Sequence, residues 1–255
     1  MPSVKNGKKL ILVALNEINF SVVEGYLRKG LALPSLSKLV KSEGISSASE
    51  NEYNLLEPWI QWPSVYTGLR FAEHGVFRLG DAKLQSNEQI FETLEERGLS
   101  VGAISPMNAS NRLKNAAYFI SDPWTGTESS GPLMMAEIAK ALRQTVNDNS
   151  KNSVSFLSYL RLIIAFVIYV PVKFWMPLAR LVVSSKGKRW RRAIFLDSFL
   201  SHLHDVLWRQ KKPDFSIVFL NAGAHIQHHY FHNSFALFTE TSNPDWYVSS
   251  ADDPL

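Results

Sequence analysis

The chain has 255 residues, a length suited to one large domain or two small ones. Apolar residues make up 45% and charged residues 20%, which excludes a disordered, collagen-like or coiled-coil chain. A balance of 27 basic against 23 acidic residues gives +4, too mild to point to nucleic acid, and the absence of cysteine excludes a disulfide scaffold, a thiolate metal site and a cysteine nucleophile.

Lys8 and Lys9 precede the apolar run Leu10–Leu15, which stops at Asn16-Glu17. A signal peptide needs an apolar stretch of about seven residues or more and a small-residue cleavage site. A buried parallel strand is the better reading, with the cytoplasm as the default location. Ser21 is the expected N-cap of a helix through Tyr26 to Lys29, stopped by Gly30, and Pro34–Lys41 offers a second short helix. Ser86 to Gln89 has the form of a capping box, opening a helix to about Arg97 that Gly98 closes. Ser100–Ile104 is a second strand. Pro132–Val146 reads as a helix, Asn147–Ser155 as a polar loop, Arg191–Arg209 as a long helix with Ile194, Phe195, Phe199 and Leu203 on its buried stripe, and Phe215–Leu220 as a third buried strand. Strand, helix and strand at these lengths predict an α/β fold: a doubly wound, mostly parallel sheet with helices on both faces.

Residues 156–183 depart from that pattern. They are almost wholly apolar, with Arg161, Lys173 and Arg180 as their only charges, and Lys186 to Arg192 follow with five basic residues around Trp190. A membrane span wants about twenty uninterrupted apolar residues, and the longest charge-free run, Leu162–Val172, is about half that and contains Pro171. Two readings stand: an interfacial helix on anionic lipid, giving peripheral membrane contact through 156–192, or a buried helical hairpin kinked at Pro171 and Pro177. The expected organisation is an α/β core over 1–150, an apolar and basic helical insertion over 151–192, and the core continued over 193–255.

Three constellations carry chemistry. Four of the seven histidines, His225, His228, His229 and His232, fall in eight residues directly after the Phe215–Leu220 strand. On a helix His225 and His229 share a face, as do His228 and His232, a spacing that suits Zn²⁺ or a similar ion. The alternative is a histidine cluster without metal. Asn16-Glu17 also ends a strand, where α/β sheets place their sites, and Glu17 would add a hard oxygen ligand. Glu57 to Leu69, with Pro58, Trp59, Trp62, Pro63 and Tyr66, reads as a rigid aromatic-walled turn into a short helix whose N-terminus faces an anion, or as a packed aromatic turn.

Taken in order, the acidic strand end, Pro34-Ser35-Leu36 to Gly44, Trp62-Pro63-Ser64 with Thr67-Gly68-Leu69, Glu73-His74-Gly75-Val76, and the strand followed by histidines resemble the N-terminal half of the alkaline phosphatase superfamily, in its branch of type I phosphodiesterases, nucleotide pyrophosphatases and sulfatase-like hydrolases. The resemblance covers residues 10–104 and 214–232. It implies a doubly wound sheet and a divalent metal, usually two zinc ions in the family and one or two here. It further implies a hydroxyl or modified cysteine nucleophile acting on a phosphate or sulfate ester, small or lipid-linked. Glu17, His225 and His229 would be ligands, with His228 or His232 as alternatives. The family's aspartate ligand after the first strand is replaced here by Asn16 and Glu17. Its nucleophile position falls at Gln61, or at Pro58 beside Glu57, according to the register; Ser64 and Thr67 are hydroxyls off that position. The family's remaining ligands come from a further C-terminal segment, so the chain is expected to be a fragment or a divergent member. The expected activity is a metal-dependent ester hydrolase with Glu57, Gln61 and Ser64 as candidate catalytic residues. Its alternative is a silent scaffold that binds a partner or a lipid head group.

Overall fold

The computed structural model describes residues 7–132, 134–147, 155–236 and 252–255. Four strands, β1 (Leu10–Leu15), β2 (Val101–Ile104), β3 (Tyr118–Ile120) and β4 (Phe215–Leu220), form one sheet in the order β1-β4-β2-β3. Every pairing is parallel, in a register that sets Leu10 beside Phe215 and Val101 beside Phe215 from the other side. The last strand in sequence therefore lies between the first two, and all four C-terminal ends share one edge.

The helices are α1 (Phe20–Arg28), α2 (Pro34–Val40), α3 (Pro58–Thr67), α4 (Phe71–His74), α5 (Ile90–Glu96), α6 (Met135–Asn147), α7 (Phe156–Tyr169), α8 (Trp175–Val183), α9 (Trp190–Lys211) and α10 (Ala222–Tyr230). They cover both faces of the sheet. Because strand side chains alternate, Phe215, Ile217 and Phe219 join Ala103 and Phe119 on one face, under Tyr66, Trp59 and Trp62 of α3 and Phe91 of α5. Val218, Ile104, Tyr118 and Ile120 face the other way, against Ile138 of α6, Ala165 and Tyr169 of α7 and Phe199, Leu203 and Leu207 of α9. Ile217 and Phe219 are buried, each contributing about 2 kcal/mol through lost apolar surface. On the α9 face His204 Nε2 meets Ser216 Oγ at 3.1 Å, so the one polar side chain of the β4 interior has a partner.

The expected α/β class and its three parallel strands are present. Several local expectations need correction. Asn19, not Ser21, caps α1: its side chain accepts from Ser21 N–H at 2.9 Å and Val22 N–H at 3.4 Å. The capping box of α5 is shifted from Ser86–Gln89 to Gln89–Glu92, where Gln89 N–H donates to Glu92 at 2.7 Å. α6 begins at Met135 rather than Pro132. The turn expected between Glu57 and Leu69 is itself helix α3, with Pro63 inside it and Gly68 in the left-handed conformation that ends it. β1 is not buried. It is the sheet's outer strand, with Leu10, Ile11, Leu12 and Val13 exposed and only Ala14 in the core. The polar segment expected as a loop over 147–155 lies mostly outside the described residues.

In 156–183 the chain breaks at Pro171, between α7 and a short 3-10 turn over Val172–Phe174, while Pro177 sits in the first turn of α8. The buried-hairpin reading holds for only one side: Ala165, Tyr169 and Leu178 are in the core while the opposite side of α7 is exposed. Among the described residues no helix is long and apolar enough to cross a membrane.

Candidate functional site at the C-terminal edge of the sheet

The ends of β1 and β4 are tied by side chains. Asn16, buried just beyond β1, donates from Nδ2 to Asn221 Oδ1 at 2.8 Å and accepts from Trp62 Nε1 at 2.8 Å. One amide thus joins β1, α3 and the start of α10. Glu17 follows with φ 52°, a left-handed conformation that costs a non-glycine residue about 1–2 kcal/mol. Ser105, one residue beyond β2, has φ 55°, and Asn108 in the same loop has φ 51°. Strain of this kind collects where a backbone is held for a purpose.

The turn of Glu17 brings it onto α10. Glu17 Oε2 and His228 Nε2 are 2.8 Å apart, and Gln227 Nε2 donates to Glu17 O at 2.5 Å while its Oε1 accepts from Asn19 N–H at 3.2 Å. Gly223 makes this packing possible, since a Cβ there would lie 2.2 Å from Ile18 Cδ1. On the neighbouring side of α10, His225 and His229 have ring centroids 4.9 Å apart. Burial holds the His225 imidazole below the usual range, helped by His229 and His228; burial, His228 and Arg189 do the same for His229. Both rings are therefore neutral at neutral pH, the form that coordinates metals.

Beside them a cleft of about 150 Å³ opens at the ends of β2 and β4, lined by Ser105, Trp124, Asp197, Asn221 and His225 over an apolar wall from Leu196, Leu200 and Phe219. Asp197, on α9, accepts from Asn221 N–H at 3.2 Å and Ala222 N–H at 2.7 Å, so a carboxylate occupies the N-terminus of α10. Burial outweighs those two donors and pushes its pKa up to about 6. The loops that carry Ser105 and Trp124 are fixed by buried Asp122, which accepts from Asn108 N–H at 2.6 Å, Trp124 N–H at 2.7 Å, Thr125 N–H at 2.6 Å and Thr125 Oγ1 at 2.7 Å.

Of the four expected ligands, Glu17 is thus joined to His228, and His225 to His229. Their chemistry, one carboxylate and three imidazoles, fits a borderline dication. Their count does not close: among the described residues no group of three or more His, Cys, Asp or Glu side chains converges on one point. The candidate catalytic residues lie elsewhere on α3. Glu57 is exposed at the N-cap, and the Gln61 side chain donates to Leu55 O at 2.6 Å. Ser64 Oγ is 3.0 Å from His74 Nε2. This resembles a nucleophile and its base, but the proton runs the wrong way. Val76 N–H donates to His74 Nδ1 at 3.0 Å, so neutral His74 carries its proton on Nε2 and donates it to Ser64. Burial lowers the His74 pKa, which favours that neutral form.

Asp197, Asn221, Ser105 and the inward role of Asn16 are not singled out in the sequence reading. Asp197 is one of two acids of α9, beside Asp205, and its spacing does not set it apart. The fold and site together define an α/β protein whose polar and strained residues gather where parallel strands end. Comparison of the chain with protein-family models, curated proteins and solved structures gave no match.

Proposed function

We propose that the chain is a metal-dependent hydrolase of phosphate or sulfate esters, of the alkaline phosphatase-like kind. The observation that carries this reading is the contact between Glu17 and His228 at 2.8 Å, which unites the acidic end of β1 with the histidine helix after β4. Glu17 with His228, and His225 with His229, are the residues that would hold a divalent ion, zinc by donor type. Such an ion, when bound, supplies a Lewis acid for the ester oxygen and lowers the pKa of a water. The protein's own part is acid–base and positional. Asp197, with its pKa pushed up to about 6, is protonated below that pH and can then pass the proton to a leaving alkoxide. Asn221 and Ser105 offer polar atoms beside it, and the Leu196 and Leu200 wall limits water.

A second reading, a silent scaffold that binds an anionic group without cleaving it, is favoured by one observation: Glu57, Gln61 and Ser64 are exposed, occupied as a donor, and hydrogen-bonded as an acceptor, respectively. Turnover of an aryl phosphate, a diaryl phosphodiester and an aryl sulfate by chelator-treated protein, with zinc, manganese or magnesium restored, separates the two. Hydrolysis that returns with the ion and disappears in His225→Ala/His229→Ala supports the hydrolase. Retained ion with no turnover of any ester supports the silent scaffold.

A further inference from the structure

Helix α7 presents an apolar face outward. Its inward positions, Ser158, Ala165 and Tyr169, are buried, and Leu162 and Phe166 pack beside them at helical spacing. The opposite stripe carries Phe156, Leu160, Ile163, Val167 and Ile168, all exposed, with Ile163 at 59% and Phe156 at 82%. A helix on a protein surface normally turns polar residues that way. The one charged residue of α7 is turned inward instead: Arg161 pairs with Glu137 of α6 at 2.7 Å. α8 continues the pattern with Met176, Val182 and Val183 exposed.

Charge singles out the same segment. Residues 155–196 contain eight of the chain's 27 basic residues and none of its 23 acidic ones, so they carry +8 while the rest of the chain carries −4. Five of the eight fall between Lys186 and Arg192, directly after α8. Lys186, Arg189 and Arg192 are exposed there, and Arg191 stacks over the Trp190 ring at 5.0 Å. Lys188 is paired with Asp252 at 2.5 Å, and the remaining cations beside the apolar side chains and Trp190 match the layers of an anionic bilayer surface: acyl chains, then phosphates.

We propose that the outward face of α7 and α8, with the Lys186–Arg192 segment, docks in the plane of an anionic phospholipid surface. α7 is 14 residues long, so it lies along the surface and does not cross it. The inference does not rest on the hydrolase reading, because none of these residues lines the cleft at the strand ends.

The test is flotation of the full chain with vesicles of phosphatidylcholine alone and of phosphatidylcholine mixed with phosphatidylserine. Binding to the mixed vesicles should be at least about tenfold tighter and should fall as salt rises, because screening shortens the reach of the cations. Lys186→Gln/Arg189→Gln/Arg192→Gln should remove the preference for the anionic vesicles. Ile163→Glu/Val167→Glu, at exposed positions where the fold is not disturbed, should abolish binding to both while circular dichroism is unchanged. Equal binding of all three proteins, or flotation of the wild type with neither vesicle, overturns the proposal. So does a wild-type dimer that Ile163→Glu/Val167→Glu converts to monomer without any vesicle binding, which would assign the face to a second copy.

Discussion

The side-chain amide of Asn16 bonds to the side-chain amide of Asn221 at 2.8 Å, across the ends of β1 and β4. The bond holds the first and last strands of the sheet at the point where the candidate site begins. It also gives Asn16 the inward position after the first strand, while the chain turns Glu17 outward onto α10.

Asn16→Ala leaves Trp62 Nε1 and Asn221 Oδ1 without this partner inside the fold. The expected cost is about 1–3 kcal/mol, read as a lower denaturant midpoint with an unchanged m-value. An unaltered midpoint would mean that the amide network contributes nothing.

Asp197 gives a pH signature. Its pKa is near 6 in the fold and near 3.8 without burial, so the folded chain binds this proton more tightly. The associated stability is complete below about pH 4 and is lost as pH rises through about 6. Asp197→Asn removes the titration. Relative to wild type, the variant should gain stability between about pH 4 and 6, by up to roughly 3 kcal/mol. Urea denaturation across that range checks it, and parallel profiles for the two proteins would refute the assignment.

Gly102 in β2 admits no side chain. A Cβ there would lie 2.4 Å from Cζ of Tyr118, which is buried and cannot withdraw. Gly102→Ala should destabilise by about 1–3 kcal/mol or more through overpacking, seen as a lowered Tm. A variant as stable as wild type would show that the β2–β3 pair has slack that the packing does not reveal.

Ser64 should be dispensable for chemistry. Because His74 donates to its hydroxyl, Ser64→Ala should leave ester turnover nearly unchanged and cost about 1 kcal/mol of stability. A loss of turnover of about a hundredfold or more would restore Ser64 as the nucleophile.

Among the described residues β1 is an end strand of the sheet, and it carries exposed apolar side chains. Val13→Lys places a charge on an exposed position of β1. The substitution should raise the concentration at which the chain stays monodisperse in light scattering, with stability within about 0.5 kcal/mol of wild type.

How much of this was legible in the sequence depends on burial. β4 and β2 were readable because strands covered on both faces are mostly apolar, Ser216 being the exception in β4. β1 has the same composition for a different reason: it is an outer strand with apolar side chains left exposed, and sequence alone does not separate the two. β3 was missed because three residues carry no period. Asn19 displaced Ser21 as a cap because the helix starts at Phe20, which puts Ser21 inside its first turn. At the site, the histidines and Glu17 were visible as chemistry-bearing types at strand ends, but their pairing was not. The spacing of α10 joins His225 with His229, and only the left-handed turn at Glu17 decides that its carboxylate reaches His228. Asp197 was hidden because its partners, the N–H groups of Asn221 and Ala222, come from an element 24 residues away.

The proposed hydrolase needs a divalent ion on the strand-end histidines and Glu17. Calorimetric titration of zinc into chelator-treated wild type, Glu17→Gln and His225→Ala/His229→Ala tests it most directly. Saturable binding of one or two ions per wild-type chain is expected, weakened in Glu17→Gln and lost in the double histidine variant. Identical isotherms for all three proteins, or no saturable heat from the wild type, would contradict it.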